Sequence, residues 1–581
     1  MNKWSKYYQR WSALLLCLVM VISLASCSDS DESEGGSGEF DPQSYNVSLT
    51  MPGEGGVAFL GEESMEVRLE INNTGTYRAS EGTAKFTYTS VYGGDPQSTT
   101  KTFKETSGET NTVITIPTKT VSMGYWSVDV EIGIDGNTLE TVSKGYCVVN
   151  KPQNYGTAND NAFFGVMGTY NNASAAQRIG AGIDRPSVYW RFTRQADGTL
   201  NWNELDKVLK HSTDNNLNVI LLIQPEVLLQ DVSLPGMEIT SAEDLIRADV
   251  LEEYKVFLRE TVRRYKDKVY AFEVINDPDI NFMLHGNLSP EKTGEIVAAV
   301  MALSYEIIKE EAPEKMVLGV SVSEREYFNT ANKKKTITEY IFDAAKGAKL
   351  ADAFSIHPYP TKWMVSETAD YTTPEDFGLH RIIGQGLNYM KTKGFSKAYV
   401  TETGYGVSPS EPLLSQSRKM QAALAVRSMI ICKSFSEVEA AVYFSLCYDS
   451  TAGNEANMAL FGPGINTGNY FPYVGAAAYA QVAYALYDTT PAKTISTGEN
   501  DTISAYQFNS SEQTVIAVWK NRSSQQITID GISSLNAFDT YGNSLGAGDI
   551  SISVGDSPIY LIVGASEGNS LAQAVEALVS Q

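Results

Sequence analysis

Residues 269–279 read VYAFEVINDPD, a short apolar run that ends in Asn276, Asp277 and Pro278. The preceding segment, LEEYKVFLRETVRRYKD at 251–267, places apolar residues at i, i+3, i+4 and i+7, which is the spacing of an amphipathic helix. A helix that leads into a buried strand is one step of a βα series, because parallel strands need a crossover between them. This stretch therefore predicts a parallel α/β sheet in the middle of the chain.

The same alternation runs from residue 158 to residue 484. Eight short apolar runs are separated by segments with helical spacing: FFGVMG (163–168), IDRPSVYW (183–190), NVILLIQ (218–224), VYAFEVIND (269–277), MVLGVSV (316–322), AFSIHPY (353–359), KAYVTETG (397–404) and AVYFSLCYD (441–449). Eight βα units in ~300 residues predict one (β/α)8 TIM barrel. In that fold the active site lies at the carboxyl ends of the strands, so the last residues of each run carry the functional information.

The segments on both sides of the barrel have the period-two pattern of β-strands. Residues 45–150 alternate apolar and polar side chains between Gly, Asn and Asp turns, which predicts an immunoglobulin-like β-sandwich. Residues 485–565 return to the same period and predict a C-terminal β-sandwich. Residues 566–581 have helical spacing, and we expect a peripheral tail. The predicted fold class is therefore α/β, with a TIM barrel flanked by two β domains.

The N-terminus has the features of a targeting segment. Basic residues precede an apolar stretch at 13–24, and LASC at 24–27 resembles the lipobox of bacterial lipoproteins. The resemblance implies that 1–26 is a signal peptide and that Cys27 is lipidated. Residues 27–44 are acidic and rich in Gly and Ser, which predicts a flexible tether. We expect a protein anchored in the outer membrane of a bacterial envelope, exposed at the surface, with the lipid as its sole membrane contact.

Composition and motifs exclude several other classes. A formal net charge of −24 argues against a nucleic-acid partner, because phosphate binding needs clustered Lys and Arg. The chain has no Walker loop, HExxH or GxSxG motif, and its four histidines argue against a Ser/His enzyme or a His-rich metal site. Neither a metal nor a cofactor is expected.

Two carboxylates stand at predicted strand ends. Asp277 ends the fourth run, and Glu402 ends the seventh within YVTETGYG at 399–406. Hydrolysis of a glycosidic bond needs two carboxyl groups, because one protonates the leaving oxygen and the other attacks or activates water. Ends of the fourth and seventh strands can flank a sugar across the mouth of an eight-stranded barrel. The pair predicts a glycoside hydrolase that acts on a polysaccharide or oligosaccharide.

The chain resembles the clan A glycoside hydrolases, and its pattern is similar to β-xylosidase-like and cellulase-like barrels. In that clan the fourth strand ends in Asn-Glu-Pro, with Glu as acid/base, and the seventh ends in a nucleophilic Glu, often as Thr-Glu-x-Gly. The resemblance implies that Glu402 is the nucleophile of a retaining mechanism on β-linked sugars. It places Asp277 at the acid/base position and Asn276 at the sugar 2-hydroxyl.

Four further residues are implied to bind substrate or to shape the site. They are Arg185 in the second run, Tyr359 beside Glu402, His357 at a sugar hydroxyl, and Trp363 as a stacking ring. Phe444 and Tyr448 are other candidates for stacking, since the eighth run lacks the Trp common in the clan. The implied partners are a carbohydrate substrate and glycan-uptake proteins of the same surface.

Asp277 is one methylene shorter than the expected Glu, which withdraws its carboxyl by ~1–1.5 Å. An alternative function is therefore a catalytically impaired lipoprotein that captures polysaccharide in the barrel cleft. Glu226 and Asp279 are further acids near strand ends, and we interpret them as a rim residue and a turn residue. Glu273 lies four residues before Asp277, and we expect it to pair with a base such as Arg185.

Overall fold

The barrel predicted from the sequence is present in a computed structural model. The structure describes residues 39–77, 81–104, 110–117, 122–229, 232–280, 288–323, 335–448, 455–463, 470–499 and 502–580. Cys27, the lipobox and most of the predicted tether lie outside the described residues.

Eight parallel strands close on themselves, so the predicted TIM barrel is confirmed. Barrel strand two is split into two short segments, one of which pairs with both strand one and strand three and thereby closes the ring. In chain order the barrel strands are Phe164–Val166, Ile183–Asp184 with Ser187–Tyr189, Asn218–Gln224, Ala271–Val274, Met316–Val322, Ala353–Ile356, Ala398–Thr403 and Val438–Tyr443. We number them barrel strands one to eight.

The period of two along each strand separates the inside of the barrel from its outside. One layer of side chains fills the lower interior, and it includes Ile183, Ala271, Ala353 and Tyr399. The alternate residues pack outward against the helices in one large core. Because the next inward position lies two residues further along each strand, polar side chains follow this apolar layer toward the carboxyl ends.

Helices surround the barrel, and several begin at sequence-encoded caps. The Ser289 hydroxyl accepts a hydrogen bond from the Lys292 amide ahead of Pro290, and Thr336 forms a capping box with Glu339. The α-helices of the chain are Ala173–Arg178, Trp190–Thr193, Asn203–Asp214, Ala248–Tyr265, Pro290–Glu311, Ile337–Ala345, Pro374–Phe377, Leu379–Thr392, Gln416–Lys433, Val474–Ala485 and Gly568–Val579.

The N-terminal β domain consists of two sheets around a core of its own. A three-stranded antiparallel sheet contains Tyr45–Thr50, Glu66–Asn73 and Thr110–Pro117. A five-stranded sheet contains Val57–Phe59, Gly82–Ser90, Gln97–Phe103, Gly124–Ile134 and Asn137–Val149. Inward residues such as Phe86 and Val130 alternate with polar outward residues, which is the pattern that predicted these strands.

The C-terminal β domain has a six-stranded and a two-stranded sheet. Its strands are Thr490–Thr497, Ile503–Asn509, Gln513–Lys520, Gln525–Ile529, Asn536–Phe538, Ser544–Ala547, Ile550–Val554 and Ile559–Gly564. The expected peripheral tail is instead part of this domain. Leu571, Ala572 and Val575 of the helix Gly568–Val579 are buried in its core, because they share one face at helical spacing.

Specific polar contacts join both β domains to the barrel and to each other. Arg178 at the end of the first barrel helix binds Glu63 of the N-terminal domain. The Tyr92 hydroxyl of that domain donates to Asp539 of the C-terminal domain at 2.7 Å. Three short two-stranded pairings lie outside the main sheets, at Leu228–Leu229 with Val232–Ser233, Met364–Val365 with Gly406–Val407, and Phe461–Gly462 with Phe471–Pro472.

None of the helices in the described part of the chain combines the length and the apolar character that crossing a bilayer requires.

Replacing Leu571 by Ala should lower the free energy of unfolding of the C-terminal domain by ~2–5 kcal/mol, because it removes a fully buried side chain and leaves a cavity. The measurement is the unfolding transition in denaturant, followed by fluorescence and by circular dichroism. Leu545→Ala is the control, since that side chain is 39% exposed in the same domain. Equal effects of the two substitutions would contradict the packing of this helix.

Candidate active site

A single guanidinium holds the site together. Arg185 is fully buried two residues above Ile183, at the next inward position of barrel strand two. Its Nε donates to Glu273 at 2.5 Å, its Nη1 to Glu402 at 2.7 Å and its Nη2 to the amide oxygen of Asn276 at 2.8 Å. All three nitrogens are therefore engaged by the protein, and Arg185 positions the site residues from below.

Glu273 lies at the bottom of this network, and its predicted pairing with Arg185 is confirmed. Its other oxygen accepts hydrogen bonds from the hydroxyls of Ser321 and Thr401, each at 2.7 Å. Burial alone would raise the pKa of Glu273, but the Arg185 charge and these hydrogen bonds hold that pKa below its ordinary value. Glu273 is thus an ionised structural group that cannot exchange protons readily with a substrate.

Glu402 stands at the end of barrel strand seven with both carboxylate oxygens oriented. Arg185 donates to Oε1, and the Tyr359 hydroxyl donates to Oε2 at 3.1 Å. Burial, followed by the charges of Glu402 and Asp277, raises the pKa of Tyr359 well above its ordinary value, so this phenol remains a donor. The predicted orienting role of Tyr359 toward Glu402 agrees with this geometry. The two donors therefore fix the orientation of the Glu402 carboxylate.

Asp277 is held between His357 and Asn276. His357 Nδ1 lies 2.6 Å from one Asp277 oxygen, and the Asn276 amide donates to the other at 2.9 Å. His357 is fully buried, and its Nε2 lies 2.9 Å from the Thr401 hydroxyl. Both ring nitrogens of His357 are thereby used within the protein, which leaves neither for the sugar hydroxyl contact that the resemblance implied. Its position favours a role in holding Asp277.

The pKa of His357 is raised above its ordinary value. Burial acts to lower it, but the charges of Asp277 and Glu402 outweigh burial and stabilise the imidazolium. The contact therefore couples the charge of His357 to that of Asp277.

The backbone that carries Asp277 is in an unusual conformation. Ile275 and Asp277 have φ of 67° and 44°, and Ser321 on the neighbouring strand has φ of 55°. For residues other than glycine, and above all for β-branched Ile275, the left-handed region costs of order 1–3 kcal/mol each. The Asp277 amide donates to the Ser321 carbonyl at 3.0 Å, which ties the two strained segments together. This strain directs the Asp277 carboxyl toward His357 and Glu402.

The two carboxyl groups are close. Asp277, His357 and Glu402 each offer one ligand-type atom, and the three atoms lie within 4.8 Å of one another. An oxygen of Asp277 is therefore within 4.8 Å of an oxygen of Glu402. Retaining glycosidases place their carboxyl groups about 5–5.5 Å apart, and inverting ones about 6.5–9.5 Å. The bound on the nearest oxygens lies below both ranges, so the two carboxyl groups are close enough to act on one bond.

The same three residues could contact a small cation, since carboxylates and imidazole are metal ligands. However, Arg185 already supplies positive charge to Glu402, and His357 Nδ1 is directed at Asp277. The arrangement is that of a closed hydrogen-bonded network.

The remaining sequence candidates lie around this centre. The Trp363 ring is half-buried and packs near Gly406, four residues beyond Glu402, while Phe444 and Tyr448 are half-buried after barrel strand eight. Asp279 accepts hydrogen bonds from the Ser323 amide and hydroxyl, and burial raises its pKa to about 6. Glu226 follows the end of barrel strand three, where it faces Arg191 and is only 3% exposed.

Two members of the network, Ser321 and Thr401, were missed in the sequence. Thr401 could have been found, because it lies two residues beyond Tyr399, an inward residue of barrel strand seven. Ser321 could not, because the register between barrel strands five and six shifts at that point.

Comparisons with known proteins show a shared fold. No protein-family model and no curated protein sequence match the chain. Among solved structures, a family 39 glycoside hydrolase from the gut symbiont Bacteroides cellulosilyticus WH2 aligns with 89% of this chain and 100% of its own, at 15% identity and a TM-score of 0.62. At that identity the likeness establishes a shared fold, a barrel of the kind found in glycoside hydrolases.

Two further solved structures match less well. An exo-β-1,4-mannosidase from Opitutaceae bacterium strain TAV5 aligns over 57% of this chain and 61% of its own, at 13% identity and a TM-score of 0.41. A Bacteroides uniformis β-glucuronidase aligns over 88% of this chain and 57% of its own, at 10% identity and a TM-score of 0.38.

Arg185→Met should lower the free energy of unfolding by ~3–5 kcal/mol, because it leaves Glu273 as an unpaired charge inside the barrel. Denaturant unfolding measures the effect. Lys207→Met serves as the control, since Lys207 is 62% exposed in its pair with Glu204 and its removal should change little. Equal stabilities of Arg185→Met and the wild type would contradict the dependence of the buried Glu273 charge on Arg185.

Asp277→Asn should lower the pKa of His357, because Asp277 is the first of the charges that raise it. The stabilisation from the raised pKa is complete below the ordinary value of about 6.5 and is lost as the pH rises through the folded-state pKa. Histidine-selective NMR titration measures the pKa, and His357→Gln assigns the signal. Asp370→Asn, at a 73% exposed carboxylate, should leave the titration unchanged. An unaltered pKa in Asp277→Asn would contradict the coupling.

Proposed function

We propose that this protein hydrolyses a β-glycosidic bond in a polysaccharide or oligosaccharide by double displacement. Glu402 is the nucleophile, and Asp277 is the acid and then the base. The observation that carries the proposal is the placement of the two carboxyl groups, with oxygens within 4.8 Å at the carboxyl ends of barrel strands seven and four. The fold that the chain shares with a family 39 glycoside hydrolase supports it.

In the first step a Glu402 oxygen forms a bond to the anomeric carbon as the glycosidic bond breaks. Arg185 and Tyr359 hold the attacking carboxylate, so little reorganisation is needed. The leaving oxygen takes a proton from the Asp277 carboxyl, which His357 holds in place. In the second step Asp277 accepts a proton from water, which attacks the same carbon and frees Glu402.

His357 compensates for the short Asp277 side chain in this mechanism. A Glu reaches the glycosidic oxygen through one more methylene, whereas Asp277 depends on its strained backbone to bring it forward. His357 Nδ1 lies 2.6 Å from an Asp277 oxygen, and the pKa of His357 is raised because the charges of Asp277 and Glu402 outweigh its burial. The fully buried ring, fixed by Thr401 on its far side, cannot turn away from Asp277.

We further propose that the chain acts at the surface of a bacterial envelope, held by a lipid on Cys27. The lipobox-like LASC at 24–27 and the acidic segment after it support this location. A surface position would give the barrel access to external polysaccharide and to glycan-uptake proteins as partners.

A second function is favoured by one observation. Both Asp277 oxygens are already engaged, one by His357 and one by Asn276, which would hinder proton delivery to a sugar. In that case the protein binds glycan in the barrel mouth and releases it uncut.

Glu402→Gln should abolish hydrolysis of β-glycosides, and Asp277→Asn should reduce kcat/KM by about 10²–10⁴-fold on substrates with poor leaving groups. With an aryl glycoside whose leaving group needs no proton, the Asp277→Asn loss in the first step should be far smaller. The measurement is steady-state kinetics on a panel of β-linked oligosaccharides and aryl β-glycosides. Glu204→Gln, at an 86% exposed side chain, is the control.

The panel also separates the two functions. If the wild-type protein hydrolyses none of these substrates but binds an oligosaccharide in calorimetry, the proposal of hydrolysis is rejected in favour of glycan binding. If Asp277→Glu then gains hydrolysis, the missing methylene alone accounts for the loss. Equal losses in Asp277→Asn on both leaving-group classes would remove Asp277 from the acid role.

A further inference from the structure

Phe192 is an exposed aromatic side chain at the mouth of the barrel. It is 63% exposed, the largest value among the large apolar side chains that the structure describes. Phe192 belongs to the short helix Trp190–Thr193, which follows barrel strand two directly. It therefore stands at the carboxyl end of a strand, on the face of the barrel where ligands bind.

The direction of Phe192 follows from its neighbours. Trp190 packs outward on Tyr254 and Phe257 of the helix Ala248–Tyr265. Two residues further along a helix, a side chain is rotated by about 200°, so Phe192 points away from that outer layer. Its ring contacts Tyr189 at 5.5 Å between centroids, and the charges of Glu226 and Glu402 both act on Tyr189. Phe192 thus lies on the cleft side of the rim.

A buried ion pair braces the exposed ring from below. The Arg191 guanidinium lies 4.4 Å from the Phe192 ring centroid and 5.6 Å from that of Tyr189. Arg191 Nη1 is 3.6 Å from Glu226 Oε1, and the two side chains are only 2% and 3% exposed. The guanidinium occupies one face of the phenyl ring, which leaves the opposite face for a ligand.

One oxygen of the Glu226 carboxylate accepts no hydrogen bond from the described residues. Its Oε2 and the Gln224 amide oxygen are buried without a hydrogen-bond partner among the described residues. Burial raises the pKa of Glu226 to about 7, although Arg191 opposes that shift. Both atoms are buried acceptors at the end of barrel strand three, where Gln224 pairs with Tyr189 of barrel strand two.

We propose that Phe192, braced by Tyr189 and Arg191, is a stacking platform for one pyranose ring of a β-linked oligosaccharide, at a rim subsite outside the two that flank the cleaved bond. A β-linked pyranose with equatorial hydroxyls presents an apolar C–H face that covers an aromatic ring, while its hydroxyls remain available to acceptors at the edge. The platform rests on the proposed function only in that its ligand is a glycan.

The test measures binding separately from hydrolysis. In the full-length Glu402→Gln background, calorimetry with xylohexaose, cellohexaose and mannohexaose reports affinity without cleavage. Phe192→Ala should weaken binding of the preferred hexasaccharide about tenfold, and Phe192→Trp should retain it. Val256→Ala, at a 57% exposed side chain on the outer helix, should bind as the parent does.

Kinetics supply the second measurement. In an otherwise wild-type chain Phe192→Ala should raise KM for the hexasaccharide while leaving kcat/KM for an aryl monoglycoside unchanged, because the small substrate does not reach the platform. Unchanged affinity in Phe192→Ala, or failure of the parent to bind any of the three hexasaccharides, would overturn the proposal. Binding that depends on Phe192 in a chain that hydrolyses nothing would keep the platform and reject hydrolysis.

Discussion

The Arg185 guanidinium is the charge on which the interior of the barrel depends. Glu273 and Glu402 lie at its two sides, and Asn276 accepts its third hydrogen bond. Ionised carboxylates are stable in a low-dielectric interior only when they are paired, and here one arginine pairs with two of them. Since Glu273 also gathers Ser321 and Thr401, four barrel strands meet at this cation and its first partner. The geometry of the mouth is set from beneath.

Asp277 makes no direct contact with Arg185 in the hydrogen bonds described above, and it is linked to Arg185 through Asn276. Its backbone is held in the left-handed region by the contact with Ser321, and its carboxyl is held by His357. These two contacts fix the position of a side chain that is one methylene shorter than Glu. An oxygen of Asp277 nevertheless lies within 4.8 Å of an oxygen of Glu402.

The sequence predicted the barrel, because eight apolar runs with helical segments between them leave few alternatives. It also predicted the pairing of Glu273 with Arg185, because both lie at inward positions below the strand ends. It could not give the orientation of His357, since either ring nitrogen could have faced the sugar until the partners Asp277 and Thr401 were placed. The packing of Leu571 against the C-terminal domain was also missed, because the amphipathic pattern of a helix does not name the surface it covers.

The contact of Arg427 with the C-terminal domain bears on how the domains are joined. This arginine belongs to the helix Gln416–Lys433, is fully buried, and pairs with Glu375 of the barrel and Asp556 of the β domain. Trp519 of the β domain donates to the same Glu375 at 2.7 Å. The β domain therefore supplies Asp556 as a second counterion of Arg427, and its Trp519 donates to the first counterion, Glu375. A barrel severed from it would expose an arginine and a carboxylate that are otherwise buried at the junction, so we expect the barrel and the C-terminal domain to unfold together.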